Sequence, residues 1–220
     1  KGGGRVSWQG PECAARPRIR RMADPVKPAS ARIDLTNHFL VAMPGMADET
    51  FERTVVYLCE HTEKGALGLV INKPIDIKLR NLFEKIELKL DHRAELAEQP
   101  VYFGGPVQTE RGFVLHEPTG VGASPYNSTL TVPGGLEMTT SKDVLEALAD
   151  GAGPRRVLVT LGYAGWSAGQ LEDEIGRNGW LTVGADPAVI FDTPVPQRYD
   201  KALSLLGIDP RMLSAEAGHA

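Results

Sequence analysis

The residues most open to a chemical role are those of a Gly-x-Ser-x-Gly pattern at 165–169 (GWSAG), between a predicted core strand and a predicted helix. The nucleophile elbow of α/β-hydrolases has this pattern and this position. A serine nucleophile in that fold needs an acid and then a histidine further along the chain, and only His219, in a polar tail, follows Ser167. The alternative is a capping box, in which the Ser167 oxygen accepts a helix amide and the Gln170 side chain returns to the cap backbone. The pattern therefore favours a helix cap over a serine hydrolase.

Two glycine-rich turns are further candidates for a binding site. Residues 162–169 contain three glycines before a predicted helix, as phosphate-binding loops do. No lysine follows them, and the acidic first turns of that helix suit its dipole but would repel a phosphate. Gly104 and Gly105 follow a predicted strand and could place backbone amides in a small pocket, although turn geometry alone also explains this pair.

The spacing of histidines and cysteines predicts no metal site. No two histidines follow an HxxxH pattern, and Cys13 and Cys59 form no CxxC pair. His61 and His116 each end a predicted strand, so each is interpreted as a strand-end polar residue, with a base or ligand as the alternative. Cys59 lies in an apolar run and is predicted to be a small buried hydrophobe. We expect neither a metal nor a cofactor.

Charge is unevenly distributed along the 220 residues. The net charge is −4, whereas six basic residues and one glutamate give residues 1–21 a charge of +5, which leaves −9 for residues 22–220. An acidic body repels phosphates, so DNA is not expected as the main partner. No apolar run reaches the roughly 20 residues that span a membrane, and the leader has no apolar core of a secretory signal. With two cysteines and no cysteine framework, the protein is predicted to be cytoplasmic.

The composition divides the chain into a leader, a body and a tail. Residues 1–34 are rich in glycine, proline and arginine and are predicted to be a disordered basic leader and linker, with a natural start at Met22. The alternative for the leader is a basic arm that binds nucleic acid or an acidic surface. Residues 35–213 are predicted to form a single domain, and residues 214–220 are expected to fray.

Hydrophobic patterns predict hairpins in the first half of the domain and strand–helix alternation in the second. Residues 54–61 (TVVYLCEH) form a strong strand, and residues 66–72 (ALGLVIN) form its hairpin partner. An apolar stripe of helical spacing begins after Asp76, the predicted N-cap. A core strand at 156–163 precedes a helix at 167–175, and this order favours an α+β fold with a mixed sheet. The other predicted elements are strands at 38–43, 101–103, 112–116, 128–132 and 180–183 and helices at 140–151 and 197–206.

Seven segments of the domain carry a family resemblance. They are residues 35–46 (LTNHFLVAMPGM), 51–61 (FERTVVYLCEH), 65–74 (GALGLVINKP), 101–107 (VYFGGPV), 111–116 (RGFVLH), 162–175 (GYAGWSAGQLEDEI) and 178–180 (NGW). Together, and in this order, they resemble the AlgH/YqgE family of bacterial proteins over about residues 35–207. The resemblance implies a mixed α/β fold whose bifurcated sheet wraps into a pseudo-barrel with flanking helices.

The resemblance also bears on function. It implies a regulatory role, because one member is named for a proposed role in alginate production and a transcription-regulator label follows from that name. The sequence contains no helix-turn-helix signature and no basic recognition helix, so direct DNA reading is not expected. The family's segments do not depend on a serine at Ser167, which further disfavours a hydrolase.

Two classes of function stay open. The favoured class is a non-catalytic protein that binds a small molecule or a protein partner and acts in regulation, since the sequence provides no nucleophile, base and acid set. The second class is an enzyme with an unrecognised site near Arg53, His61, Asn72 and the Gly104-Gly105 turn. Such residues should then converge in one cleft.

A ligand site is predicted where three strand-end loops, at 72–74, 104–106 and 165–166, could meet at one edge of the sheet. Trp166 would supply an aromatic wall, the glycines would let a ligand approach the backbone, and Arg53 or Lys73 would attract an anionic group. The alternative is that proline and glycine only shape the turns while Trp166 fills the core. The predicted ligand-binding residues are Arg53, His61, Asn72, Lys73, Gly104, Gly105 and Trp166.

Overall fold

In the computed structural model, which describes residues 33–46, 48–120 and 122–208, a long strand, β9 (Val157–Ser167), joins two branches of one mixed sheet. The sheet belongs to the unit that begins at Asp34. The predictions for residues 1–32 and for the tail lie outside the described residues. Within the described part of the chain, no helix is long and apolar enough to cross a membrane.

The first branch of the sheet is antiparallel. Its strands, in spatial order, are β10 (Trp180–Gly184), β1 (His38–Ala42), β2 (Val55–Thr62) and β3 (Gly65–Val70). β3 then pairs with the last part of β9, where Ala66 lies opposite Trp166. The predicted hairpin of β2 and β3 is confirmed, and so are the strands predicted at 38–43 and 180–183.

The second branch makes the sheet bifurcated. Its antiparallel strands, in order from β9, are β6 (Val107–His116), β8 (Leu136–Thr139) and β7 (Thr129–Val132). On the opposite edge of β9, β5 (Pro100–Phe103) runs parallel beside Thr160 and Leu161, and β4 (Pro74–Lys78) pairs with β5. One edge of β9 therefore pairs first with β5 and then with β3, and the curled sheet forms an open half-barrel.

Six helices flank the sheet in the described residues. They are α1 (Leu79–Lys85), α2 (Ala94–Ala97), α3 (Asp143–Ala149), α4 (Gln170–Gly176), α5 (Pro187–Phe191) and α6 (Arg198–Leu205). α5 and α6 pack against a face that both branches share, α4 covers the other face of the first branch, and α1 to α3 pack on the second branch. This arrangement confirms an α+β fold built on a bifurcated sheet.

The apolar run in β2 follows from burial on both of its faces. Tyr57 and Cys59 point into the cluster that contains α5 and α6, whereas Val56 and Leu58 point into the cluster under α4. A strand covered on both sides has no wet face, so its sequence is continuously apolar instead of alternating. Cys59 is buried as predicted, and desolvation raises the pKa of its thiol, which suits a packing residue and not a nucleophile.

The predicted N-cap at Asp76 is wrong. Asp76 lies within β4, and α1 begins at Leu79 after the extended residue Lys78. The half-buried alternation of β4 places Ile75 and Ile77 against the second-branch core. The alternation of Ile75 and Ile77 continues into Leu79, which also begins the helical stripe, so the sequence does not mark where the strand ends and the helix begins.

The short elements β4, α2, β8 and α5 are absent from the sequence predictions. β8 has four residues, and all of them are buried, so its Glu137 interrupts any apolar period. α5 has five residues, and the Asp186 side chain accepts the Ala188 N–H at its start (2.9 Å). An Asp-Pro start was an available signal for α5, since proline is favoured at the first helical position.

Candidate functional site

A cleft of about 480 Å³ opens beside β9, α4 and the start of β10. This volume is within the range of pockets that hold small organic ligands. The segment between β1 and β2 contributes one of its walls. The residues that line this aromatic cleft are Met46, Asp48, Phe51, Pro106, Gly165, Trp166, Gln170, Glu174, Arg177, Gly179 and Trp180.

Three aromatic rings pack together along the cleft. The Phe51 ring centroid lies 5.5 Å from that of Trp180 and 6.4 Å from that of Trp166, and the two indoles are 6.0 Å apart with their planes at 80°. Edge-to-face contacts of this kind stabilise a fixed arrangement of rings. Phe51 is half-buried, while the two tryptophans are almost fully buried and present only a small part of their surface to the cleft.

One carboxylate fixes both indoles. Glu174 Oε2 accepts the indole N–H of Trp166 at 2.9 Å and that of Trp180 at 2.8 Å, while Oε1 accepts the Gln170 side-chain amide at 2.9 Å. Buried indole N–H groups need an acceptor, and a carboxylate forms the stronger, charge-assisted bond. Because Glu174 uses both indole donors, the tryptophans offer a ligand ring surface but no hydrogen-bond donor.

The charged groups that line the cleft are two carboxylates and one guanidinium. Asp48 and Arg177 are exposed, and Glu174 is half-buried beneath the rings. Asp48 also accepts the backbone N–H of Thr50 at 2.8 Å, which orders its carboxylate. The lining therefore has a net charge of −1, opposite to the positive charge that the sequence led us to expect there.

Two of the three predicted loops meet in this cleft. Pro106, from the turn after β5, and the Gly165-Trp166 pair both line it. Trp166 is only 7% exposed, so it is a buried residue, but it adjoins the cavity. The third loop, with Asn72 and Lys73, does not line the cleft.

Asn72 and Lys73 instead hold the segment that carries Phe51. The Asn72 side chain accepts the Val55 N–H at 2.9 Å and donates to the Arg53 carbonyl at 2.8 Å. Lys73 Nζ donates to the Thr50 carbonyl at 2.7 Å and to that of Glu49 at 3.3 Å. Both side chains are thus bonded to backbone on either side of Phe51, and they position one wall of the cleft without contacting it.

Arg53 lies away from the aromatic cleft. Its guanidinium lies 4.7 Å from the centre of the Tyr199 ring and 3.7 Å from Asp200, both on α6. The residue has a φ of 51°, in the left-handed region that few side chains favour. Arg53 therefore connects the β1–β2 segment with α6 and does not lie beside Trp166.

His61 lies under the start of α4. Its Nδ1 accepts the Leu35 N–H at 3.1 Å, which leaves Nε2 to face a Glu172 carboxylate oxygen at 3.3 Å. The ring is 5% exposed. Its contacts with Leu35 and Glu172 connect the chain before β1 and the start of α4 to the sheet. The enzyme hypothesis requires one cleft that holds His61, Arg53, Asn72 and the glycine turn. These groups do not converge in one cleft.

Gly104 and Gly105 are closely packed against β9 and line none of the clefts described here. A Cβ at Gly104 would lie 2.1 Å from the Gly162 carbonyl oxygen, and one at Gly105 would lie 2.1 Å from the Tyr163 carbonyl carbon. Gly105 also has a φ of 151°. The Gly104 amide donates to the Leu161 carbonyl at 2.8 Å, so it is unavailable to a ligand.

The predicted capping role of Ser167 is only half right. Its backbone N–H donates to Gln170 Oε1 at 3.0 Å, which is the Gln170 return expected of a capping box. The N-cap residue is Gly169, with a φ of 78°, and no side chain caps the helix. Ser167 is the last residue of β9, and its hydroxyl makes no hydrogen bond within the described residues. Because Ser167 belongs to β9, it also lies outside the sharp turn that a nucleophile elbow needs.

We expect Ser167→Ala to change the free energy of unfolding by less than about 0.5 kcal/mol, as for an exposed side chain without a partner. Gln170→Ala should cost about 1 kcal/mol, because it removes the bond to the Ser167 N–H and the bond to Glu174. Urea unfolding of both variants checks the pair. A larger loss of stability in Ser167→Ala than in Gln170→Ala would contradict the assignment of Gly169 as the N-cap of α4.

The residues that sequence reasoning missed are Phe51, Glu174 and Trp180. Phe51 and Trp180 lie in segments that carry the family resemblance, but the sequence analysis assigned no role to either residue. Glu174 was considered only as an acid that suits the helix dipole. No sequence period links the three, because they reach one cleft from the β1–β2 segment, α4 and β10.

Among the described residues, no group of three or more histidine, cysteine or acidic side chains is placed to hold a metal ion. The bifurcated half-barrel, with an aromatic cleft beside α4, defines an α+β protein. The profile of the AlgH-like family matches residues 39–211, and the chain belongs to this family.

Relatives of high identity cover nearly the whole chain. A UPF0301 protein from Ralstonia nicotianae is 70% identical over 199 residues, which cover 90% of this chain and 100% of the relative. A UPF0301 protein from Variovorax paradoxus is 70% identical over 196 residues, which cover 87% of this chain and 98% of the relative.

Two solved structures share the fold. The solution structure of the AlgH protein from Pseudomonas aeruginosa is 46% identical, with a TM-score of 0.68, and the match covers 91% of this chain and 100% of that one. An X-ray crystal structure of a protein from Corynebacterium diphtheriae is 22% identical, with a TM-score of 0.63, and the match covers 78% of this chain and 87% of that one. The second likeness concerns the fold alone.

Proposed function

We propose that this protein is a non-catalytic cytoplasmic protein that binds a small organic molecule in the aromatic cleft and acts in regulation. The observation that carries the proposal is the cleft of about 480 Å³, in which Glu174 fixes both indoles and Phe51 packs against them before any ligand arrives. Rings held in place lose little conformational entropy on binding, so their apolar surface contributes more fully to affinity. Of the two kinds of partner considered, the concave shape and size favour a small molecule over a protein.

The charge of the cleft favours one kind of ligand. With two carboxylates and one guanidinium, the lining attracts a cationic group and repels an anionic one. Aromatic side chains add to this preference, since their electron-rich faces attract cations. The proposed ligand therefore has an aromatic or aliphatic body and a positive charge. The acidic body of the protein likewise disfavours DNA as a partner.

The regulatory part of the proposal rests on family membership, and the binding part rests on the cleft. The residues proposed for the enzyme alternative are engaged in backbone hydrogen bonds, ion pairs and close packing. The two parts are separable, since ligand binding can be measured on the isolated protein.

Three probes with the same phenyl body test the cleft: phenyltrimethylammonium, benzyl alcohol and benzoate. We expect phenyltrimethylammonium to bind with a Kd of about 1 mM, as suits a probe of this size, and to shift the indole N–H signals of Trp166 and Trp180 in NMR spectra. Benzyl alcohol should bind more weakly and benzoate most weakly. Unshifted indole signals with all three probes would contradict the proposal.

A phenylalanine variant locates the binding. Phe51→Leu should weaken phenyltrimethylammonium binding about fivefold, the loss of about 1 kcal/mol of aromatic contact. Phe103→Leu is the matched control, because Phe103 is also half-buried and lies in β5 without lining the cleft. An equal loss in both variants would place the probe elsewhere.

A further inference from the structure

A second, smaller pocket is rich in arginine. It has a volume of about 200 Å³ and lies where β9 and β5 meet α5 and the start of α6. Three of its lining residues are arginines, and one is an aspartate, so the lining has a net charge of +2. The lining of this arginine pocket includes Leu96, Tyr102, Arg155, Arg156, Phe191 and Arg198.

The most unusual of these side chains is Arg198, which is 5% exposed. Its Nε donates to the Thr193 carbonyl at 3.0 Å, a second nitrogen donates to the Ile71 carbonyl, and the guanidinium lies 5.1 Å from the centre of the Tyr102 ring. No carboxylate of the described residues forms an ion pair with it. Desolvation of the charged form lowers its pKa.

A buried cation without a counter-charge is costly, so proteins normally pair such groups with an anion. The two carbonyls and the Tyr102 ring fix the orientation of Arg198 but supply no full negative charge. An anion that entered the arginine pocket would supply it and would gain charge-assisted hydrogen bonds.

The other two arginines differ in whether their guanidinium groups are paired with carboxylates. Arg156 donates to Glu117 at 2.5 Å and to Asp192 at 2.7 Å, and its guanidinium lies 5.2 Å from the centre of the Phe191 ring. It is therefore ordered, and the two carboxylates offset its charge. Arg155 is exposed, and its side chain forms no ion pair within the described residues, so its charge is available to a ligand.

We propose that the arginine pocket binds the phosphate group of a small organic phosphate monoester. A phosphate monoester carries a charge of about −1.5 to −2 at pH 7, opposite in sign to the net charge of the lining. Arginine forks suit the oxygens of a phosphate, because several parallel N–H groups meet one group of acceptors. The apolar neighbours Leu96 and Phe191 give the organic part of the ester a surface to pack on.

Four probes test this site by titration calorimetry at low ionic strength: phenyl phosphate, inorganic phosphate, benzoate and phenol. We expect phenyl phosphate to bind with a Kd of about 0.1 mM, inorganic phosphate about tenfold more weakly because it lacks the ring, and benzoate more weakly still. No saturable heat with phenyl phosphate would overturn the proposal. Equal affinity for inorganic phosphate would show that the organic part of the ester is not recognised. Equal affinity for phenol would show that the phosphate group is not recognised. Either result would overturn the proposal.

Single substitutions place the probe in the pocket. Arg155→Gln should weaken phenyl phosphate binding about tenfold, the effect of one lost charge-assisted hydrogen bond, and its exposed position keeps the fold intact. Arg198→Lys keeps the charge but loses the fork and should weaken binding by at least as much. The matched control is Arg111→Gln, an exposed arginine of β6 outside the pocket. Binding unchanged in Arg155→Gln, or lowered equally in Arg111→Gln, would overturn the site.

Discussion

Replacing Gly105 with alanine should destabilise the fold by about 4 kcal/mol, the combined effect of a strained backbone and overpacking. The new Cβ would lie 2.1 Å from the Tyr163 carbonyl carbon and 2.2 Å from the Ala164 nitrogen, both backbone atoms of β9 that cannot rotate away. At a φ of 151° the alanine would also be strained. Chemical denaturation, followed by tryptophan fluorescence, measures the loss.

The matched control for this change is Gly112→Ala. Gly112 lies on the neighbouring strand β6, and a Cβ there would meet no atom within 4 Å. We expect a change of less than about 0.5 kcal/mol. Equal stability losses at the two glycines would show that β5 does not approach β9 as closely as the structure has it.

The contrast between these glycines explains what the sequence could and could not predict. A Gly-Gly pair after a strand predicts a turn, and the turn exists between β5 and β6. The reason for glycine at Gly105 is the backbone of Tyr163, which is distant in sequence and meets it only where the sheet divides. Local patterns carry no information on such a contact.

Apolar runs were informative wherever a strand is buried on both faces. β2 and the first part of β9 were predicted because their buried residues form such runs. The last residues of β9 were not predicted, because Gly165 and Ser167 are exposed and interrupt the apolar pattern. The strand continues past residue 163 because it pairs there with β3. Tertiary pairing, and not local propensity, extends that strand.

Polar residues at strand ends were the least predictable part of the site. Asn72 and Lys73 have the types expected of ligand contacts, but their partners are backbone groups of the segment between β1 and β2. A side chain's type states which bonds it can form, and only the fold decides whether a ligand or the chain itself is the partner. Trp166 alone, of the residues predicted from sequence, lines the aromatic cleft.

Replacing Glu174 with alanine should destabilise the protein by about 3 kcal/mol, since it would leave two buried indole N–H groups without an acceptor. Asp173→Ala is the matched control, because Asp173 is an exposed acid of the same helix, and its loss should cost less than about 1 kcal/mol. Urea unfolding measures both variants. A Glu174→Ala variant as stable as Asp173→Ala would show that this carboxylate does not hold the rings.

Glu174→Gln separates the geometry of the cleft from its charge. The glutamine carbonyl can accept both indole N–H groups, so most of the stability and the ring arrangement should return, with a net loss of about 1 kcal/mol for the weaker neutral bonds. The lining then changes from a charge of −1 to neutral, so the preference for phenyltrimethylammonium over benzyl alcohol should shrink while the affinity for benzyl alcohol stays constant. Loss of both affinities together would mean that the amide does not preserve the ring arrangement. An unchanged preference would mean that the cation is recognised by the rings and not by the carboxylate beneath them.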